Sequence, residues 1–264
     1  MLLETLRIFA AQVVLYTYVI IMNNTMDDIK YQYAYLDGDI GKIVHISDIS
    51  QDNRNQHKYT CIGCGHELLP RAIESKYRRP HFYHKTIVEC SGETYLHKLA
   101  KQIIKEKFDN DLVFNIDYDV KHACEYIKQC PCRYPACEVS FSNQINLKDY
   151  YDTCEEEAQL QNYIADLLLS KSKDENFPKI LIEIWVTHSC DSEKVSSGNR
   201  IIEIRIKNEQ DIDQLRQIQV FRENHSPKKG LCISYYNFKK QVEDTSVNHT
   251  CRLRKDLFHN IKSI

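Results

Sequence analysis

Three apolar stretches between Tyr163 and Ile206 each carry a carboxylate: YIADLLL with Asp166, KILIEIWVTH with Glu183, and RIIEIRI with Glu203. An ionised carboxylate inside a buried strand is costly unless something pairs with it. Three of them on neighbouring strands suit a site that holds a divalent metal. In LIEIWVTH, Leu181, Glu183, Trp185 and Thr187 share one face of a strand, and Ile182, Ile184, Val186 and His188 share the other. Neither face is cleanly polar, so the alternative of acids on the solvated side of an antiparallel sheet fits less well. The chemistry expected is metal-assisted hydrolysis, with a nuclease as the leading class.

A second constellation is Cys61-x2-Cys64, followed after sixteen residues by His81-x2-His84. Thiolates and imidazoles together suit Zn2+, which takes four such ligands tetrahedrally. Gly63 and Gly65 favour a tight knuckle around the cysteines, and HFYH is expected to supply the other pair. With all four positions filled the metal would be structural. The alternative is a surface His pair beside a free or redox-active CxxC, which would want a strand–helix context that is not evident. Between the pairs, LLPRAIESKYRRP is basic and contains Tyr77, so Arg71, Arg78 and Arg79 are candidate nucleic-acid contacts. A third group, KQCPCRYPAC with Cys124, Cys130, Cys132 and Cys137 and the nearby His122, could hold a second zinc or be a loop with incidental thiols. Cys90, Cys154, Cys190, Cys232 and Cys251 read as ordinary thiols.

These groups need elements to position them. YQYAYL and KIVHI around DGDIG suggest a hairpin. Residues 91–108 suggest a helix capped by Ser91, with Leu96, Leu99, Ala100 and Ile103 on its packed side. Glu93, His97 and Lys101 then fall along one side, spaced i, i+4, i+8. They could be site residues or a solvated ladder of charges. Residues 111–120 read as a strand, 148–162 as acidic helix or loop, 209–222 as a second helix and 230–238 as a closing strand. The segment MLLETLRIFAAQVVLYTYVIIM is short for a membrane span and lacks a good cleavage site. It is expected to be an extension upstream of a start at Met22 or Met26, with a packed helix or an anchor as alternatives. No stable membrane association is expected unless residues 1–22 are a genuine anchor.

The 264 residues carry a net charge of −2, which excludes a strong overall field toward nucleic acid. Local patches remain: residues 54–88 have seven Lys/Arg against two Asp/Glu, and 205–264 have twelve against seven, each +5. An odd count of eleven cysteines, several in pairs near His, argues against a secreted disulfide framework and for a reducing cytoplasm.

In order along the chain, YTCIGCG, RPHFYHK, ETYLHKLAK, ADLLL, IEIWVTH and IIEIRI resemble the competence-protein CoiA-like family, whose nuclease core is similar to the PD-(D/E)xK restriction-endonuclease fold. The resemblance runs from about Tyr31 to Phe238. It implies an α/β mixed sheet flanked by helices, preceded by a small zinc-ribbon-like module, and a Mg2+- or Mn2+-dependent phosphodiesterase acting on DNA, with RNA also open, in bacterial DNA uptake, processing or defence. The implied division is an extension over 1–25, a hairpin and zinc module over 26–90, and a nuclease core over 91–264 with a Cys-rich insert at 121–142. By the resemblance, Asp166 and Glu183 hold the catalytic metal, Glu93 reaches it from the first core helix, and His97 and Lys101 contact phosphate. The position two after Glu183, where the family pattern has Lys, is Trp185. Lys194 and His188 are the candidates to compensate, and Glu203 is expected to orient a ligand or Arg205. A degenerate nuclease fold that binds nucleic acid without cutting, and a zinc-stapled interaction module, are the competing readings.

Overall fold

The computed structural model describes residues 31–123 and 138–238. The segment 1–22 with its alternative start sites, and the second cysteine group (Cys124, Cys130, Cys132 and Cys137), lie outside the described residues. The architecture is mixed α/β, with three sheets and few helices. Among the described residues no helix is long and apolar enough to cross a membrane.

The first sheet has the order β2-β1-β3-β4-β5, with β1 Tyr33–Leu36, β2 Asp39–His45, β3 Tyr59–Thr60, β4 Glu67–Arg71 and β5 His81–His84. Helix α1 follows over Gly92–Asn110. Its N-cap is Ser91, whose side chain accepts from the Thr94 amide and satisfies one of the orphan donors of the first turn. Tyr95, Leu96, Leu99, Ala100, Ile103, Ile104 and Phe108 recur at helical spacing and are buried. Each aliphatic side chain so removed from water contributes roughly 2 kcal/mol.

The second sheet carries the three acidic stretches. Its order is β13-β11-β10-β9-β8, with β8 Thr153–Leu160, β9 Tyr163–Ser170, β10 Ile180–Trp185, β11 Arg200–Arg205 and β13 Cys232–Tyr236. All pairs are antiparallel except β10 and β11. That parallel pair needs a crossover, which contains the short helix α2, Ser192–Ser196. Helix α3, Glu209–Gln217, packs on α1. The third sheet is β12-β6-β7, with β6 Asn115–Ala123, β7 Glu138–Asn146 and β12 Val220–Arg222.

Two expectations are corrected. Residues 148–162, read as helix or loop, contain β8: a run of Glu favours helix in isolation, but here it lines the exposed side of an edge strand, where charge discourages further pairing. The second helix stops at Gln217, and Val220–Arg222 instead pairs in parallel with β6, a partner over a hundred residues away that local pattern cannot reveal.

One hydrophobic core joins Tyr33, Leu68 and Phe82 of the first sheet to Leu99 of α1, Ile182 of the second sheet and Phe221 of the third. A buried acid pins this junction. Glu209, 7% exposed, accepts from the amide of Gln32 at 2.5 Å and the hydroxyl of Tyr95 at 2.6 Å. Burial pushes its carboxyl up from the ordinary 4.5 to about 7, against the opposing pull of those two donors. Because the folded value lies above the unfolded one, the stability linked to this group is complete below pH 4.5 and is lost as pH rises through about 7. At 1.36 kcal/mol per unit the loss is on the order of 3 kcal/mol. Glu209→Gln keeps the acceptor and cannot ionise. Denaturant titrations from pH 4.5 to 8 should therefore show the variant gaining about 2–3 kcal/mol on the parent with rising pH; parallel curves would refute the account.

Candidate functional site

The cysteine knuckle forms because Gly65 adopts φ +74, which lets the chain turn back so that the Gly65 amide reaches the Cys61 carbonyl (2.8 Å) and the Cys61 amide reaches the His66 carbonyl (2.8 Å). Ligand atoms of Cys61, Cys64, His84 and Cys90 lie within 4.8 Å of one another. Cys64 Sγ is 3.2 Å from His84 Nε2, and the Cys61 and Cys90 sulfurs are 3.6 Å apart. Tetrahedral Zn2+, with Zn–S of about 2.3 Å, would place two sulfurs about 3.8 Å apart, so the cluster could bind a metal such as zinc. The thiols differ. Burial raises Cys61; Cys64, although burial works against it, is held below the ordinary thiol value by the His66 amide and the rings of His66 and His84. The described cysteines form no disulfide.

His81 is not in this group, and Cys90 takes the place expected for it. HFYH is a strand, not a turn, so residues three apart point to opposite faces. Phe82 is buried and His84 turns toward the sulfurs, while Tyr83 is exposed and His81 bonds the carbonyl of Arg79 at 2.9 Å. Strand parity applied to HFYH would have disqualified one histidine and directed attention to Cys90, six residues on.

The acids of the second sheet stand on three adjacent strands, in a register that spacing alone does not show. The β9–β10 ladder runs from Leu169↔Ile180 to Leu167↔Ile182. One step further lie Asp166 and Glu183, and Glu183 is in turn the register partner of Glu203 on β11. Asp166 Oδ2 accepts from the Ile184 amide at 2.8 Å, so a side chain replaces the ladder there. Ala165, which strict alternation would group with Leu167, packs instead in the small second core with Leu168, Leu181 and Ile201.

Basic side chains reach the pair from two helices. His97 Nε2 of α1 is 3.1 Å from Asp166 Oδ1. Lys194 of α2 is 9% exposed, lies 2.7 Å from Glu183 Oε1 and donates to the Ile164 carbonyl at 2.6 Å. Its contact with Glu183 is a close ion pair outside the angles of a directional hydrogen bond. The two carboxyls are driven apart. Burial raises Glu183 to about 7 against the pull of Lys194. Asp166 is half-buried, which works against ionisation, but His97, the Ile184 amide and Lys101 together hold it below the ordinary value. One acid that ionises readily beside one that resists is a common arrangement at sites that handle protons or cations.

The remaining candidates divide. Glu203 does not orient Arg205, whose guanidinium stacks 4.1 Å over the Trp185 ring. Its carboxylate instead accepts from the Cys190 amide at 2.5 Å and the Tyr236 hydroxyl at 3.1 Å. That fixes the chain one residue before Asp191, the N-cap of α2, and so sets where Lys194 begins. Glu93 accepts from the hydroxyl of Thr187, two residues beyond β10, and does not bond either acid. His188 is exposed and is not bonded to Asp166 or Glu183. Lys101, only 6% exposed, pairs with Glu157 at 2.6 Å and Glu156 at 3.8 Å. Arg71, Arg78 and Arg79 are exposed on the β4–β5 hairpin, Arg71 lying 5.5 Å over the Tyr83 ring.

Comparison with models of protein families, with curated proteins and with solved structures found no match.

The cluster yields a direct test. The purified chain should carry close to one equivalent of zinc by elemental analysis. Cys90→Ser should lower zinc retention against a chelator by about tenfold or more, whereas His81→Ala should keep it. Zinc lost in His81→Ala and kept in Cys90→Ser would restore the ligand set expected from the sequence.

Proposed function

We propose that this chain is a metal-dependent nuclease that hydrolyses phosphodiester bonds in DNA, built on a restriction-endonuclease-like core behind a zinc-bound module. The observation that carries the reading is Lys194, brought from the β10–β11 crossover to 2.7 Å from Glu183. It supplies the cation that Trp185 cannot.

Asp166 and Glu183 are the residues that would hold Mg2+ or Mn2+. The donor set fits: two hard carboxylate oxygens on adjacent strands, with Glu183 Oε1 buried and lacking a directional hydrogen bond. A divalent ion there neutralises charge on a scissile phosphate and makes a bound water more acidic. The other groups act through position. His97 fixes the Asp166 carboxylate, Lys194 places a fixed positive charge beside Glu183, and Glu203 anchors the loop that carries Lys194. The exposed Arg71, Arg78 and Arg79 can meet phosphate outside the site. The reduced cysteines fit a bacterial cytoplasm and a role in DNA uptake, processing or defence, with RNA as the alternative substrate.

A degenerate fold that binds nucleic acid without cutting is the second reading. It is favoured by Lys194 being buried and bonded to the Ile164 carbonyl as well, as a purely neutralising lysine would be.

Labelled single- and double-stranded DNA incubated with Mg2+ or Mn2+ distinguishes the two. The parent should cut. Asp166→Ala and Glu183→Ala should lose at least about 100-fold, and Lys194→Met a similar amount, with circular dichroism and zinc content unchanged. A parent that binds DNA in a salt-sensitive manner but does not cut would establish the second reading.

A further inference from the structure

Lys101 and Glu157 have a geometry that ion pairing alone does not require. The Lys101 ammonium sits in α1 with its side chain 7% exposed and needs an acid nearby. Glu156 lies on the same strand and reaches it only to 3.8 Å, while Glu157 closes to 2.6 Å. Glu157 also adopts φ +49, the left-handed region that residues other than Gly, Asn and Asp rarely enter. The distortion falls at a particular place. The β8–β9 ladder pairs Glu156 with Leu167 and Ala158 with Ala165, skipping the step between, which sets Glu157 against Asp166. It is the same point at which alternation along β9 breaks and β9 parts from β10. Of the five non-glycine residues with left-handed backbone among the described residues, Glu157 is the one set against Asp166 in register, and strain beside a candidate site points to a role there.

We propose that Glu157 is a positioning residue of the hydrolytic site: it holds the buried Lys101 ammonium near Asp166, as a fixed positive charge that favours substrate phosphate, and keeps it off the Asp166 carboxylate, where it would compete with a divalent cation. This rests on the nuclease reading above. Lys101 supplies the charge; Glu157 acts through it.

The test uses the full chain and compares the parent, Glu157→Gly, and Glu157→Gly combined with Lys101→Met. Glycine removes the carboxylate and suits the left-handed backbone, so it adds no strain. Mn2+ affinity is measured calorimetrically and DNA cleavage kinetically. In Glu157→Gly the released ammonium should turn onto Asp166, weakening Mn2+ binding by about five- to tenfold and lowering kcat by about tenfold or more, with KM changed less. The double variant should regain Mn2+ affinity without regaining kcat. Such recovery marks an effect that travels through the lysine, which a merely structural loss would not produce. Unchanged affinity and kcat in Glu157→Gly, or no recovery in the double variant, would overturn the proposal. A parent that binds Mn2+ without cutting DNA would remove the nuclease reading and leave the affinity comparison to decide the role of Glu157. A parent that does not bind Mn2+ would remove both.

Discussion

Two carboxylates set into the interior of one sheet, side by side, repel each other and resist leaving water. The arrangement around Asp166 and Glu183 follows from meeting that cost with fixed partners. Where the β9–β10 ladder stops, the Ile184 amide is given to the Asp166 side chain instead. One imidazole and one ammonium come in from separate helices. Glu203, next in register, ties down the loop from which the ammonium comes. Remove the carboxylates and the parting of the strands, the course of the crossover and the inward face of α1 would lose their common cause.

Helix α1 links this site to the cysteine cluster. Cys90 stands immediately before the N-cap Ser91, so whatever holds the sulfur also fixes the start of the helix. The knuckle lies directly on the first turns. A Cβ at Gly63 would come within 3.1 Å of the Tyr95 Cβ and 3.3 Å of the Cys90 sulfur, and Lys98 donates to the Gly63 carbonyl at 2.9 Å. His97 and Lys101 lie on that same helix, about two and three turns along from Cys90.

Much of this was legible in the sequence, because local pattern and long-range role agree. Asp166, Glu183 and Glu203 stood out as acids in apolar runs, and those runs are β9, β10 and β11. Ser91 and the spacing of Leu96, Leu99 and Ile103 marked α1. Lys194 was a candidate because Trp185 left the expected position without a cation. What failed was whatever depended on a distant partner or on the conformation of a short motif. His81 and His84 look equivalent until the segment is known to be extended. Cys90 gains meaning only when β5 brings His84 against the knuckle. Glu157 was hidden in an acidic run because nothing in that run marks which residue takes the left-handed backbone.

Placing the cation on a crossover, rather than on the strand beside the acid, has an evolutionary consequence. A lysine two residues after Glu183 would be locked to it by strand geometry, and a single insertion would send it to the wrong face. Lys194 is held by the anchoring of Cys190 and by a five-residue helix. The sequence distance between Glu183 and its ammonium partner can therefore lengthen or shorten among descendants while their separation in space stays constant. Descendants of such a chain would preserve the three-dimensional constellation and lose any fixed linear signature.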